Sequence, residues 1–153
     1  MAKKSRQDKA ARTGRATGKR GRLSVDGAMI AVLIGAMDAN AHVSREEAWR
    51  AHHIIWSMRR FRNRPGEDVD RQIDAVRARM VQYGKDIVLL EAVRAIPARL
   101  RPSAFTLAVD LLLADARLEP VEKRFVKQLA VKLNIQPGLA NDLVRAMVIK
   151  NTA

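Results

Sequence analysis

The sequence predicts an all-α protein, a compact bundle of about seven helices in one domain. From Ser24 onward, apolar residues recur at helical spacing, and no segment alternates with strand periodicity for long enough to count. Only six of 153 residues are aromatic although 48% are apolar, so the core must be built from Ala, Leu, Ile, Val and Met. That set of side chains favours helices over strands.

Three helices are predicted in the first half of the chain. Ser44 and Glu47 are predicted to form a capping box. In it the Ser44 hydroxyl accepts a hydrogen bond from the Glu47 amide, and the Glu47 carboxylate accepts one from the Ser44 amide. Arg64-Pro65-Gly66 breaks the chain, and Gly84 is suited to end a helix with a positive φ angle. We therefore expect helices over about residues 26–39, 44–60 and 68–83, the last with Val69, Ile73, Val76 and Met80 on one face.

Proline residues delimit four helices in the second half. Pro97 closes a short apolar helix, and Pro102 precedes the most apolar segment of the chain, which we expect to be central. Pro120 and Pro137 suit the beginnings of the last two helices because proline lacks an amide hydrogen that the first turn would leave unpaired. The expected helices cover about residues 86–96, 104–114, 120–133 and 138–150.

Positive charge is concentrated at the N-terminus. The chain carries 29 Lys and Arg against 16 Asp and Glu, and residues 1–22 hold nine of the cations against Asp8 alone. We call residues 1–23 the basic arm and expect it to be disordered when unbound, because it has almost no large apolar residue. Residues 24–153 form the helical domain. The arm predicts binding to nucleic acid, an anionic lipid surface or an acidic protein through Lys3, Lys4, Arg6, Lys9, Arg12, Arg15, Lys19, Arg20 and Arg22.

Sequence features also bear on location. The absence of cysteine excludes disulfides and thiolate metal sites. The apolar run 28–37 imitates a secretory signal, but the charged region before it is too long, and ten residues fall short of the roughly 20 needed for a membrane span. We expect a cytoplasmic protein without a transmembrane segment, and peripheral association with a membrane remains open.

The chain contains an internal repeat. A shift of 75 residues aligns 39–47 with 114–122, and each copy joins an apolar helix to a capped polar one. In each copy a residue suited to a turn comes first, Asn40 in one and Asp115 in the other. An apolar residue suited to the core follows, Val43 or Leu118, and then a glutamate at the third helical position. The repeat predicts two related helical hairpins that pack against each other.

The repeated turn resembles the TerB-like tellurite-resistance family. Asn40-Ala41 and Asp115-Ala116 stand in place of the family's Asp-Gly, and residues 90–122 are similar to the second half of short bacterial TerB-type proteins. The resemblance covers about residues 24–148. It implies a multihelical bundle without catalytic activity that acts as an adaptor in stress or tellurite resistance, with a protein partner in a stress-response or membrane-associated complex.

A divalent metal site is a weaker prediction. The family's acidic turns have been linked to divalent cations, and the candidate ligands are Asp38, Asn40, His42, Glu47, Asp115 and Glu122. A calcium loop that began at Asp38 would have Val43 where glycine is needed and Trp49 where the bidentate glutamate belongs. Ordinary polar turns are therefore favoured. His52 and His53 are adjacent on a helix and point about 100° apart, so they cannot chelate one ion by themselves.

Two tryptophans precede a cationic segment. Trp49 and Trp56 are seven residues apart, on one helical face, and could form a stacking platform beside Arg59, Arg60, Arg62 and Arg64. Core packing of one tryptophan and solvation of the arginines are the favoured interpretation.

The sequence thus predicts a non-enzymatic protein, because it has neither a serine nucleophile elbow nor a phosphate-binding loop. The leading hypothesis is a TerB-like adaptor whose arm binds an acidic partner. The alternatives are a nucleic-acid-associated accessory protein, which grips phosphates with the arm and residues 59–64, and a divalent-metal sensor.

Overall fold

The computed structural model describes residues 21–39, 43, 45–115 and 117–152, with the side chain of Asp115 excepted. These residues form seven α-helices and contain no strand, which confirms the predicted fold class. Short 3₁₀ turns at Ala98–Leu100 and Leu113–Asp115 flank the fifth helix. The helices are α1 (Val25–Met37), α2 (Arg45–Ser57), α3 (Gly66–Tyr83), α4 (Lys85–Ala95), α5 (Arg101–Leu112), α6 (Pro120–Lys132) and α7 (Pro137–Lys150).

Helix α1 lies at the centre of the bundle. It begins where Ser24 Oγ accepts a hydrogen bond from the Gly27 amide at 3.0 Å. Every residue from Asp26 to Ile34 is buried, because α1 packs against α2, α3, α4 and α5. A helix that is apolar on all sides is stable only when it is surrounded in this way.

Helix α5 is the second central element, as its apolar sequence predicted. It contacts α1, α2, α6 and α7. It begins at Arg101, three residues before the expected start, because Pro102 is accommodated in the first turn. Contact between α1 and α5 joins the two predicted hairpins in one core.

The sequence predicted the buried face of α3 correctly. Val69, Ile73, Val76 and Met80 are its buried residues. The helix ends because Gly84 has a φ of 91°, a conformation that side chains with a Cβ rarely adopt. Along α6, the Glu119 amide donates to Glu122 Oε2 at 2.7 Å, as expected for the second copy of the repeat.

Other predictions fall partly outside the described residues. Ser44 and residues 40–42 are not described, so the first capping box and the turn at Asn40 stay predictions, as does the structure of arm residues 1–20. None of the described helices combines the length and apolar character that crossing a membrane requires.

Helix α2 is shorter than expected. It ends at Ser57 rather than near Arg60, and the chain continues in tight turns, in which the Phe61 amide donates to the Met58 carbonyl at 2.9 Å. These turns place Phe61 in the core, where it is 1% exposed.

Candidate interaction surface

Four aromatic side chains share one exposed face of α2. We call Trp49, His52, His53 and Trp56 the ring surface. Trp49 and His53 stack with centroids 5.5 Å apart and planes 8° apart. His52 and Trp56 stack at 6.2 Å and 23°. The two stacks form because residues four apart are neighbours along a helix.

Neither tryptophan is in the core. Trp49 is 71% exposed and Trp56 is 38% exposed, so the expectation that one of them packs in the interior is wrong. The buried side of α2 is occupied instead by Ala51, Ile54 and Ile55. Single exposed apolar residues are common on protein surfaces, whereas adjoining large rings mark candidate binding sites.

Glycine at position 66 lets Trp56 lie close to the backbone. A Cβ built on Gly66 would lie 2.4 Å from Cη2 of Trp56, too close for two carbon atoms. The indole therefore rests across the beginning of α3. On the same side, His52 Nε2 lies 3.0 Å from Asp70 Oδ1, which links α2 to α3 a second time.

Two of the four predicted arginines serve the fold. Asp26, buried in the first turn of α1, accepts from Arg60 Nε and from Arg64 Nη2, the latter at 2.5 Å. A buried carboxylate needs such partners because desolvation penalises an unpaired charge. The side chains of Arg59 and Arg62 are exposed and make no hydrogen bond or ion pair with any residue that the structure describes.

A polar network fixes α2 against the rest of the bundle. Arg50 Nη2 donates to Asp110 Oδ1 at 3.2 Å and to the Asp110 carbonyl at 3.1 Å. Lys150 Nζ lies 2.6 Å from Asp110 Oδ2, and Asn151 Nδ2 donates to Oδ1 at 2.9 Å. Burial acts to raise the pKa of Asp110, but the hydrogen bonds from Lys150 and Asn151 and the charges of Lys150 and Arg50 outweigh it, so the pKa is lowered.

The candidate metal ligands are engaged otherwise or lie outside the described residues. Asp38 Oδ2 pairs with Lys85 Nζ at 2.6 Å, and Glu122 is buried in the cap of α6. Glu47 is half-buried and also has an interaction partner. Asn40, His42 and the side chain of Asp115 are not described. Within the described ranges, no three His, Asp or Glu side chains are grouped as a metal ion would require.

The described end of the basic arm meets the bundle at α3 and α4. Arg79 Nη2 on α3 donates to the Gly21 carbonyl at 2.8 Å and pairs with Glu91 of α4, also at 2.8 Å. Arg22 is exposed beside them and lines a shallow cleft with Arg79 and Arg94. The other eight predicted cations of the arm lie outside the described residues.

A second basic surface was not singled out from the sequence. Four cations on the outer side of α6 are exposed and make no ion pair with the described part of the chain: Lys123, Arg124, Lys127 and Lys132. The only acidic residue within α6, Glu122, is buried. Helical spacing along α6 could have revealed this face, because the four cations lie on the side of the helix opposite the buried residues Val126 and Leu129.

Comparison with known proteins adds no family. No family model, no curated protein and no solved structure matches this chain. The resemblance to the TerB-like family therefore stays a prediction, carried by the turn residues quoted above.

Proposed function

We propose that this chain is a non-enzymatic interaction module that binds an acidic protein partner. The observation that carries the proposal is the exposure of the ring surface directly before Arg59 and Arg62, neither of which is neutralised by a described residue. Tryptophan and arginine are enriched among the residues that contribute most to protein interfaces.

Partner charge follows from the electrostatics of the chain. The net charge is +13, and the basic arm contributes +8 of it, from nine cations and Asp8. Such a field accelerates encounter with acidic partners and disfavours basic ones. In this proposal the arm provides long-range attraction, and the ring surface provides the contact that is buried in the complex.

The cellular setting is also part of the proposal. The resemblance to TerB-like proteins supports an adaptor in a stress or tellurite-resistance system, in the cytoplasm and in part at a membrane-associated complex. The absence of a nucleophile elbow and of a phosphate-binding loop from the sequence supports a non-enzymatic role.

Site-specific crosslinking in cells tests the proposal. A photoreactive phenylalanine replaces Trp49, and the control carries it at Val81, which is 89% exposed on α3. We expect protein adducts at position 49 that survive nuclease treatment, are absent at position 81, and weaken when the cations of residues 1–22 are replaced by glutamine. Identical adducts at the two positions would refute the ring surface as the contact.

A nucleic-acid-associated role is the second candidate, and the geometry of the stacked rings favours it. Bases stack on aromatic side chains, and each such contact contributes about 1–3 kcal/mol to single-strand binding. Arg59 and Arg62 follow the ring surface in the sequence and could contact phosphates, whereas Arg60 and Arg64 are held by Asp26.

Anisotropy titration with a single-stranded oligonucleotide tests this second role. If it is right, Trp49→Ala weakens binding by about 1–3 kcal/mol. Neutralising the arm should reduce the slope of log affinity against log salt concentration by about 0.7 for each phosphate contact that is lost. Binding that is unchanged in both variants would exclude it.

A further inference from the structure

An open groove of about 540 Å³ lies beside the end of α2 and is separate from the ring surface. Its apolar lining comes from five segments: Met29 of α1, Met58 after α2, Leu100 of the 3₁₀ turn before α5, Leu107 of α5 and Leu143 of α7. Met29 and Met58 are almost fully buried, whereas Leu107 and Leu143 are partly buried against the core. Its volume is in the range of about 300–1,000 Å³ that is typical of ligand clefts.

The charged lining of the groove is entirely positive. Arg59 and Arg60 line it, and none of the Asp or Glu side chains that the structure describes does. Arg60 is engaged by Asp26, whereas Arg59 makes no ion pair with a described residue. The groove also includes Pro102 and Ser103 in the first turn of α5, where the helix dipole adds partial positive charge.

The groove is suited to an amphipathic ligand. Thioether side chains such as those of Met29 and Met58 adapt to different apolar shapes. An amphipathic helix places apolar side chains into such a groove at positions i, i+3 or i+4, and i+7, and keeps its charged side at the rim. With Arg59 at the rim, the complementary charge is negative.

We propose that this groove binds an acidic amphipathic helix of a partner protein, with its leucine-like side chains against Met29, Met58, Leu107 and Leu143 and a carboxylate on Arg59. The proposal rests on the proposed function and specifies the partner. The chain's own basic arm is not the occupant, because its charge has the same sign as Arg59 and it has almost no large apolar residue.

A designed peptide is the probe. It is a labelled 18-residue helix with leucines at i, i+4, i+7 and i+11 and glutamates on the other side, and binding to the full chain is measured by fluorescence anisotropy. One control peptide has the same composition with the leucines scattered around the helix, and a second has lysine in place of glutamate. We expect saturable binding of the first peptide only.

Three protein variants locate the binding site. Ser103→Trp fills the groove from an exposed position, and Arg59→Glu reverses the charge at its rim. Each should weaken binding about tenfold or more, equivalent to about 1.4 kcal/mol. Arg77→Glu is the matched control, since it reverses an exposed charge on α3, outside the groove and the ring surface, and it should change affinity by less than about twofold. Circular dichroism verifies that each variant is folded.

The outcomes separate this proposal from the proposed function. Any of three results would overturn the groove assignment. The scattered peptide binds as tightly as the designed one, the Ser103→Trp variant binds the designed peptide as tightly as the unaltered chain does, or the designed peptide shows no saturable binding. A change of oligomeric state in Ser103→Trp, without a change in peptide binding, would assign the groove to a second copy of the chain and also overturn it. Crosslinks from position 49 to an acidic protein would still support the ring surface in either case. Loss of those crosslinks, with peptide binding retained, would refute the proposed function alone.

Discussion

The guanidinium of Arg64 lies 2.5 Å from a carboxylate oxygen of Asp26, at the first turn of the central helix α1. Arg60 contacts the other oxygen. The carboxylate is 9% exposed and the arginine side chains 36% and 43%, so only the negative partner of this cluster is desolvated.

Because only Asp26 is desolvated, removing its two arginine partners should destabilise the fold more than removing the charge of Asp26 does. Arg60→Gln combined with Arg64→Gln leaves Asp26 buried without a counter-charge, and it should lower the free energy of unfolding by about 3–5 kcal/mol. Asp26→Asn leaves two half-exposed arginines that water can solvate, and it should cost about 1–2 kcal/mol. Urea denaturation measures both values.

The matched control removes the same charge from the same segment. Arg59→Gln combined with Arg62→Gln should change the free energy of unfolding by less than about 0.5 kcal/mol. If this control is as destabilised as the Arg60 and Arg64 double variant, the contacts with Asp26 do not explain the effect.

The lowered pKa of Asp110 predicts loss of stability in acid. Its ordinary pKa is 3.8, and the folded value is lower, so between the two values the unfolded chain binds more protons than the folded one. The stabilisation is complete above the ordinary pKa and is lost as pH falls through the folded one. Urea unfolding at a series of pH values between about 7 and 2 should show this loss.

Asp110→Asn tests the origin of that pH dependence. The variant should be less stable at neutral pH, because Arg50 and Lys150 lose their counter-charge, and its stability should decline less in acid. Asp74→Asn is the control, since Asp74 is exposed on α3 and makes no ion pair with a described residue. Parallel acid profiles for Asp110→Asn and the unaltered chain would contradict the assignment.

Gly84→Ala should destabilise the junction of α3 and α4. With φ at 91° and ψ at 143°, the residue occupies a region that is costly for any side chain, and alanine should cost about 1–3 kcal/mol. Gly138→Ala is the comparison, because its Cβ would meet no neighbour within 4 Å in the first turn of α7, where alanine should be neutral or stabilising. Thermal unfolding of the two variants distinguishes strain from a general effect of the added methyl group.

Gly66→Ala should displace Trp56 without unfolding the protein. The added Cβ would meet the tip of the indole, which can move outward. In a Trp49→Phe background, fluorescence from Trp56 should shift to longer wavelength and become more accessible to acrylamide. The cost in stability should be below about 1 kcal/mol, because a half-exposed side chain moves rather than the core. An unchanged spectrum would mean that Trp56 does not rest on Gly66 in solution.

Local sequence signals predicted the helices well. Proline positions, Gly84 and the apolar periodicity of α3 depend on residues within one or two helical turns, so the sequence shows them directly. The contacts of Asp26 join positions 34 and 38 residues apart, and those of Asp110 join positions 40 to 60 apart. No periodicity encodes such pairs, so the sequence did not show that Arg60 and Arg64, two of the predicted polyanion-binding residues, pair with Asp26.

The tryptophans illustrate the same limit. Helical spacing placed Trp49 and Trp56 on one side of α2, but it could not decide whether that side faces the core. The decision depends on α1 and α5, whose apolar surfaces are covered by the smaller side chains of Ala51, Ile54 and Ile55.

Helix α2 is held along its length by elements distant in sequence: by α5 and Asn151 through Arg50, and by α3 through His52. If α2 carries the contact that we propose, a helix held in this way loses little conformational freedom on binding, so more of the contact energy remains as affinity. The rigidity of this scaffold would allow even a small partner to associate strongly.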